Sequence, residues 1–526
     1  MIAKSQRLKR VLRWAVRIIL VVVLLLVIFI LEEHIRGRVM LSRYKAELRA
    51  KGEKLTLAEL NLQLPPQEGS GNVELIAAGQ ELNDLQRRNR FNVWFVTRLR
   101  WAEPGRPIVR CRQPDLGVGR QGLAGKTGGR RGRATNEVTQ TSRGEPADQA
   151  PTTNQVVQAS WADLAEEVSA ASNALARVRS VLTKRAVAFP IDYSQGFDAH
   201  MPHWGETQNI PTWLALAGLY ELHAGGLDAT IQNISLLTTL TRVYQDGRFE
   251  IVQHRRIGTG ERGLDITWEA LQSLGWNDAQ LRQLQEAWQM RSSLPDMIVA
   301  LETERSIRVA YIDKVRGSFA EWQKLRRSLL SKAQCGCQDL PNDIAVSIYV
   351  TLWRLAWADQ DELLLLKHYQ NLLEAARKVT TGQAWQNVYH PPPEVPSFLH
   401  CGDLSRYFYT QFFRPDPDRP VRSAMQFETR RQMTLTAIAL KRFTLRSGHL
   451  PTDLHALVPE FLEETPRDYM TDQPLRYRLS ADGSFNLYSV GNDGRDDSGD
   501  PSPTQGKRLM SIWDGRDAVW PQAASE

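Results

Sequence analysis

The sequence predicts a mainly α fold: an N-terminal transmembrane helix, an all-α domain of helical hairpins, and a small C-terminal α+β head with a β-hairpin. Three observations carry this. Ile18–Leu31 (IILVVVLLLVIFIL) is an unbroken apolar run. Residues 156–412 hold segment after segment with apolar residues at helical spacing. Leu475–Leu479 and Ser484–Val490 flank Ala481-Asp482-Gly483, and Asp-Gly between β-rich runs marks a hairpin. At 526 residues the chain exceeds one typical domain, so two or three units are expected.

Residues 1–13 form a short basic tail with Lys4, Arg7, Lys9, Arg10 and Arg13 and no acid. Residues 14–31 then approach the roughly 17–25 residues that a helix needs to cross a bilayer. Hydrocarbon gives backbone groups no water to bond, so a helix is the local solution. A secretory signal peptide shares the basic start and apolar core. Here the apolar run is long for such a core, and Glu32-Glu33-His34-Ile35-Arg36 offers no small-residue cleavage site. An uncleaved, single-pass signal anchor is expected. The acid-free tail predicts N-in orientation, although Arg36, Arg38, Arg43 and Lys45 follow the span. The bulk of the chain is then periplasmic or otherwise extracytoplasmic.

Residues 32–113 read as a stalk and a small mixed region. A helix is expected over Arg36–Lys54 and another over Val73–Gln86, with Phe91–Arg100 (FNVWFVTRLR) strand-like or a buried helix. Residues 114–155 are crowded with Gly, Arg, Thr, Gln and Pro. Such a composition cannot bury enough surface to offset the entropy of ordering, which predicts a disordered linker. Gly125-Lys126-Thr127 resembles the end of a phosphate-binding loop. Arg120 stands where that loop needs Gly, and no apolar strand leads in, so no nucleotide site is expected. The net charge of +7 is concentrated in the Arg-rich stretch 97–143. Such runs can bind nucleic acid, but a solvated loop outside the cytoplasm makes that partner unexpected. The four cysteines, Cys111, Cys335, Cys337 and Cys401, do not form a disulfide framework or a spaced metal site.

The all-α domain begins at Trp161. Leu164, Val168, Ala171, Leu175, Val178 and Leu182 share one helical face. Helices follow at Thr212–His223 and Leu227–Tyr244, then at Gly263–Leu274, Asn277–Gln289, Pro295–Leu330, Asp343–Trp357 and Gln360–Lys378. Trp213, Leu216, Ala217, Tyr220 and Ala229 stand at spacings that resemble one tetratricopeptide helix pair, and the next residues do not continue the repeat.

Phe189–Pro211 interrupts the helices with a polar-aromatic loop. Asp192, Tyr193, Asp198, His200, His203 and Glu206 lie in it. His200 and His203 are three apart, near a metal-ligand spacing, and Asp192 or Glu206 could complete a site. Pro202 argues against a regular helix there, and the helical HExxH of zinc proteases is absent.

In residues 421–526 a long helix, Val421–Ser447, stops at Gly448, the residue type expected in a left-handed helix end. A short helix, the hairpin and an acidic loop, Asn492–Asp500, follow. This series resembles the globular head of type II secretion major pseudopilins. The residues carrying the resemblance are Ala437–Arg446 (AIALKRFTLR), Gly448-His449-Leu450-Pro451, Leu454–Leu462 (LHALVPEFL), Pro474–Tyr477 (PLRY) and Leu487–Gly494 (LYSVGNDG). The resemblance implies that the acidic loop binds calcium. By position the implied ligands are Asp493, Asp496 and Asp497, with Asp500 and Asp517. Clustered carboxylates on a Gly-rich loop can supply the six to eight oxygens calcium takes. The Gly-Phe-Thr-Leu-Ile-Glu processing motif of that family is absent, Pro501–Ser511 lengthens the loop, and several hundred residues separate anchor and head. A fixed tether is therefore expected, rather than a polymerising stem.

The expectation is a scaffold or interaction protein in the cytoplasmic membrane of a bacterium, with protein partners in an envelope or secretion assembly. The alternative is a metal-dependent envelope hydrolase using the Asp192–Glu206 loop.

Overall fold

One helix, α1 (Ile2–Ala50), runs through both the expected anchor and the expected stalk. The computed structural model describes residues 2–62, 69–88, 161–201, 203–324, 349–391, 406–407, 409–410, 418–480, 484–503 and 511–520. Phe91–Arg100, the 114–155 linker, the hairpin tip 481–483 and the four cysteines lie outside them. In α1 the side chains from Ile18 to Phe29 are all exposed, and this stretch is long and apolar enough to cross a membrane. From Glu33 the pattern changes. Glu33, Gly37, Leu41 and Leu48 are buried and Tyr44 is half-buried, a stripe of three- and four-residue steps along one helix face.

That stripe meets α9 (Ser293–Gly317) and α10 (Ala358–Thr380). Leu41, Leu48 and Leu55 form a small core with Val309, Leu363 and Leu366. Helix α10 carries Asp359 and Asp361 in its first turn and Arg377 and Lys378 in its last, each end matching the helix dipole. A π-helical turn, Trp353–Trp357, leads straight into it and packs beside α1.

The remaining helices share one large core. Helix α2 (Asn72–Arg88) packs on α4 (Ser172–Lys184), which follows α3 (Trp161–Ala170) after a break at Ala171. Helices α5 (Ile210–His223) and α6 (Leu227–Val243) form the expected hairpin, turning through Gly225 at φ +81°. Helix α7 (Glu250–Leu271) starts thirteen residues before the expected Gly263, and α8 (Asp278–Trp288) is capped by Asn277 in a capping box with Gln280. A single turn, α11 (Trp385–Val388), follows α10.

Helix α12 (Arg419–Ser447) has Pro420 in its first turn and Gly448 at φ +77° as its stop. It packs against α7, α8 and α9, and its apolar residues belong to the same core as theirs. Gly260 of α7 gives it room: a Cβ there would lie 2.4 Å from Cε2 of Phe427. Buried charges on α12 are paired across the interface, Arg430 with Glu261 and Asp265, and Arg442 with Asp278. The C-terminal unit thus shares its longest helix with the helical domain. Beyond it, β1 (Arg467–Asp468) pairs with β2 (Gln473–Pro474). β3 (Arg476–Leu479), β4 (Phe485–Ser489) and β5 (Ala518–Val519) form an antiparallel sheet in that order, with Tyr477 opposite Leu487 and Ser489 opposite Ala518.

Candidate functional site

Three places carry concentrated chemistry. The first is the seam between α1 and the helical domain. Gln360 donates to the buried Glu33 carboxylate at 2.7 Å, and Arg36 pairs with the same group. Lys45 and Arg316 both pair with Glu362, whose side chain is fully buried, and Arg316 also pairs with Asp359. Just past α1, Glu53 receives Arg305 at 2.8 Å and Gln370 at 2.9 Å, and Arg377 pairs with it as well. Burial works against the charge on Glu53, but Arg377, Gln370 and Arg305 outweigh it and hold the carboxyl at about 2. Lys45, Glu53 and Glu362 thus have opposite charges on another element, while Glu33 has Arg36 on its own helix and the Gln360 amide across the seam. Breaking one such pair leaves a buried charge uncompensated.

The second place is the acidic loop between β4 and β5. Asp517, fully buried next to β5, accepts the backbone N–H groups of Asp497 (3.3 Å), Gly499 (2.6 Å) and Asp500 (3.2 Å). Burial pushes its carboxyl up while those three donors pull it down. Asp496 takes Tyr488 Oη at 3.0 Å, Ser498 N–H at 2.9 Å and Arg476 at 3.3 Å. Arg516 stands 3.8 Å from both Asp497 and Asp500. Asp493 is exposed and accepts a local N–H, that of Arg495 at 3.0 Å. Asn492 ties the loop to the helices: it accepts from Gln426 of α12 at 2.8 Å and donates to the Trp513 carbonyl at 2.7 Å.

Of the five carboxylates proposed for calcium, Asp517 and Asp496 thus face donors that hold the loop shut. Asp497 and Asp500 share a cation already, Arg516. Among the described residues no three His, Cys, Asp or Glu side chains converge as a metal group. A calcium ion on this loop would draw first on Asp493, Asp497 and Asp500, and Arg516 would have to swing away. A second buried acid, Asp468, was not singled out from the sequence. It accepts from Ser489 Oγ and Met470 N–H at 2.9 Å and from Val490 N–H at 3.2 Å, joining β1 to β4. Glu464 and Asp472 flank it four residues to either side, so nothing local marks it out, and its role comes from β1 and β4 meeting.

The third place is the loop before α5. Asp192 caps a short 3₁₀ turn, accepting from Ser194 Oγ at 2.6 Å, Gln195 at 2.9 Å and Ser194 N–H at 3.0 Å, and these donors hold it below the usual carboxylate range. Tyr193 Oη accepts from Arg248 N–H at 2.9 Å. Asp198 faces Lys314 at 3.6 Å. His200 is exposed, whereas His203 is buried and stacked on Phe189 with ring centroids 4.0 Å apart. Burial, then the Arg255 charge, lowers His203 to about 4, so it is neutral at physiological pH. The Glu206 carbonyl accepts from Asn83 at 3.1 Å. A cavity of about 680 Å³ adjoins this loop, lined by Phe189, Tyr193, His203, Tyr244 and the Arg291–Asp296 pair. Its walls mix aromatic and aliphatic side chains with Asp246, Arg248, Arg291 and Asp296, and Asp192 and Asp198 engage other partners while His200 is exposed.

No protein-family model, curated protein or solved structure matches the chain.

Proposed function

We propose that this protein is a membrane-anchored extracytoplasmic scaffold, seated in the cytoplasmic membrane of a bacterium with its N-terminus inside. One observation carries the reading. The apolar stretch of α1 is bare, while the same helix, without a break, is locked into the helical domain by Glu33, Gly37, Leu41, Lys45 and Leu48. A flexible tether needs no such seam. A scaffold that must hold its domain in one attitude to a membrane does. The acidic loop, with Asp493, Arg495 and Asp496 exposed at the far end of the chain, is the proposed partner-facing surface, in the manner of a pseudopilin-like head, and calcium on Asp493, Asp497 and Asp500 is its proposed ligand. The hydrolase alternative has little to support it: Asp192 caps a turn, His203 stacks on Phe189, and Asp198 faces a lysine.

The test is photo-crosslinking of the full chain in envelope membranes from a reactive side chain at Arg495. A discrete protein adduct, retained in His200→Ala, supports the scaffold. Hydrolytic turnover by the purified protein that is lost in His200→Ala, without any protein adduct, supports the alternative. Deleting residues 421–526 would be a poor test, because α12 lies in the shared core.

A further inference from the structure

The two ends of the helical domain differ in how they relate to the apolar stretch of α1. Helices α1 and α10 run side by side in the same direction: Gly37 lies on Asp359 and Gln360, Lys367 sits over the Tyr44 ring at 5.9 Å, and Glu53 meets Gln370 and Arg377. Helix α9 runs the opposite way, from Glu302 beside Arg377 to Arg316 beside Asp359. One end of the domain therefore gathers the start of α10, the end of α9, and the segments attached to each. These are the π-helical turn Trp353–Trp357 and the helical turn at 319–324.

The register fixes their height. Leu355 precedes Asp359 by four residues, so it lies about 6 Å beyond Gly37 along α1, at about 1.5 Å per residue. The last residue of the apolar run, Leu31, is roughly 9 Å beyond Gly37 by the same rise. A bilayer's polar layers add roughly 5–7 Å to each side of its hydrocarbon. Leu355 thus falls inside that layer if α1 spans.

The side chains there suit it. Leu355 is 50 % and Phe319 40 % exposed, both large apolar groups open to the surroundings. Trp357 is half-buried under the Arg406 guanidinium, 5.8 Å from its ring, and Arg354 donates to the Arg316 carbonyl at 2.7 Å. Aromatic rings mixed with basic groups are what the membrane–water interface selects. The turn is also braced. Trp353 Nε1 donates to Asp361 at 2.9 Å, and the same buried carboxylate takes the N–H groups of Tyr409 (2.7 Å) and Thr410 (2.9 Å).

We infer that the π-helical turn Trp353–Trp357 and the adjoining turn at 319–324 form a foot that rests in the headgroup layer of a lipid bilayer, with Leu355 and Phe319 as its immersed side chains. This rests on the reading of α1 as a membrane span. The foot and the span then fix two points of contact, which sets the tilt of the whole domain on the membrane.

The test places p-benzoylphenylalanine in turn at Leu24, Phe319, Leu355 and Leu274 of the full chain in phosphatidylcholine–phosphatidylglycerol nanodiscs. Leu274 is an exposed leucine of the α7–α8 turn and serves as the control. After irradiation, lipid adducts are read by mass spectrometry. The foot predicts adducts at Leu24, Phe319 and Leu355 and none at Leu274. Adducts at Leu24 alone overturn the foot and leave the span standing. Equal adducts at Leu274 and Leu355 also overturn it, and no adduct even at Leu24 removes the span and the foot together.

Discussion

Gly37 and Gln360 touch so closely that a Cβ on Gly37 would lie 3.1 Å from the Gln360 Cγ. The contact sets the distance between α1 and α10, and every pairing along the seam depends on it. Two substitutions should separate here. Gly37→Ala asks Gln360 to give by a few tenths of an ångström and gains helix propensity of up to about 1 kcal/mol, so its net effect should be near zero. Gly37→Leu must push the helices apart, at a cost of about 2–3 kcal/mol. Thermal unfolding in nanodiscs should show no shift for the first and a clear drop for the second, and equal shifts would contradict the close crossing.

Glu53 stands between Arg305, Arg377 and Gln370. Glu53→Gln leaves the buried Arg305 without its counter-charge, while Arg377 keeps Glu302, and should cost about 3 kcal/mol. The same pair gives a pH signature. Because the folded carboxyl titrates at about 2, below its ordinary value, its contribution is complete above about 4.5 and is lost as pH falls from there toward 2. Acid unfolding of the wild type should steepen in that window, and the Gln variant should lack that component.

His203 predicts a second pH window. The folded ring titrates at about 4 and the unfolded one near 6.5. The unfolded chain binds the extra proton between these values, so stability is full above about 6.5 and falls as pH drops toward 4. The full effect is on the order of 3 kcal/mol. His203→Phe keeps the stack on Phe189 and should flatten this slope. A slope unchanged in that variant would place the titration elsewhere.

Asp517 and Asp493 should behave differently although both belong to the acidic loop. Asp517→Asn sets an amide N–H against the backbone donors of Asp497, Gly499 and Asp500, and should lower stability by about 2–3 kcal/mol. Asp493→Asn, at an exposed position bonded to the Arg495 N–H, should be near neutral. For calcium the expected result is a rise in melting midpoint that disappears in Asp497→Asn/Asp500→Asn and grows in Arg516→Ala, because that arginine competes for the same carboxylates.

Much of the helical layout was legible because its signals are local. Asn277 and Gln280 form a capping box within four residues, and Gly448 ends α12 where the apolar pattern stops. The hairpin strands lie within a residue of expectation at each end. What escaped the sequence is where charges are buried by distant partners. The expected helix begins at Gly263, yet α7 starts at Glu250, and in its added turns Arg256 is fully buried and paired with Asp296, forty residues on. The seam was hidden for the same reason: Glu33 and Lys45 look like an ordinary charged flank until Gln360 and Glu362 face them. The acidic loop was found, but its members divide into loop-holding and open carboxylates only once the N–H groups that face Asp517 are known. His203 looked like a ligand by spacing, and the Phe189 ring, fourteen residues earlier, gives it a packing role instead.

The measurement that tests the account most directly is a pair of reporter fusions to residue 526 of the full chain in bacterial cells. Alkaline phosphatase is active only where its disulfides form, outside the cytoplasm, and green fluorescent protein exported in unfolded form stays dark there. The account predicts an active phosphatase fusion and a dark fluorescent one, both in the membrane fraction. A bright fluorescent fusion with inactive phosphatase would put the domain in the cytoplasm and contradict the central claim.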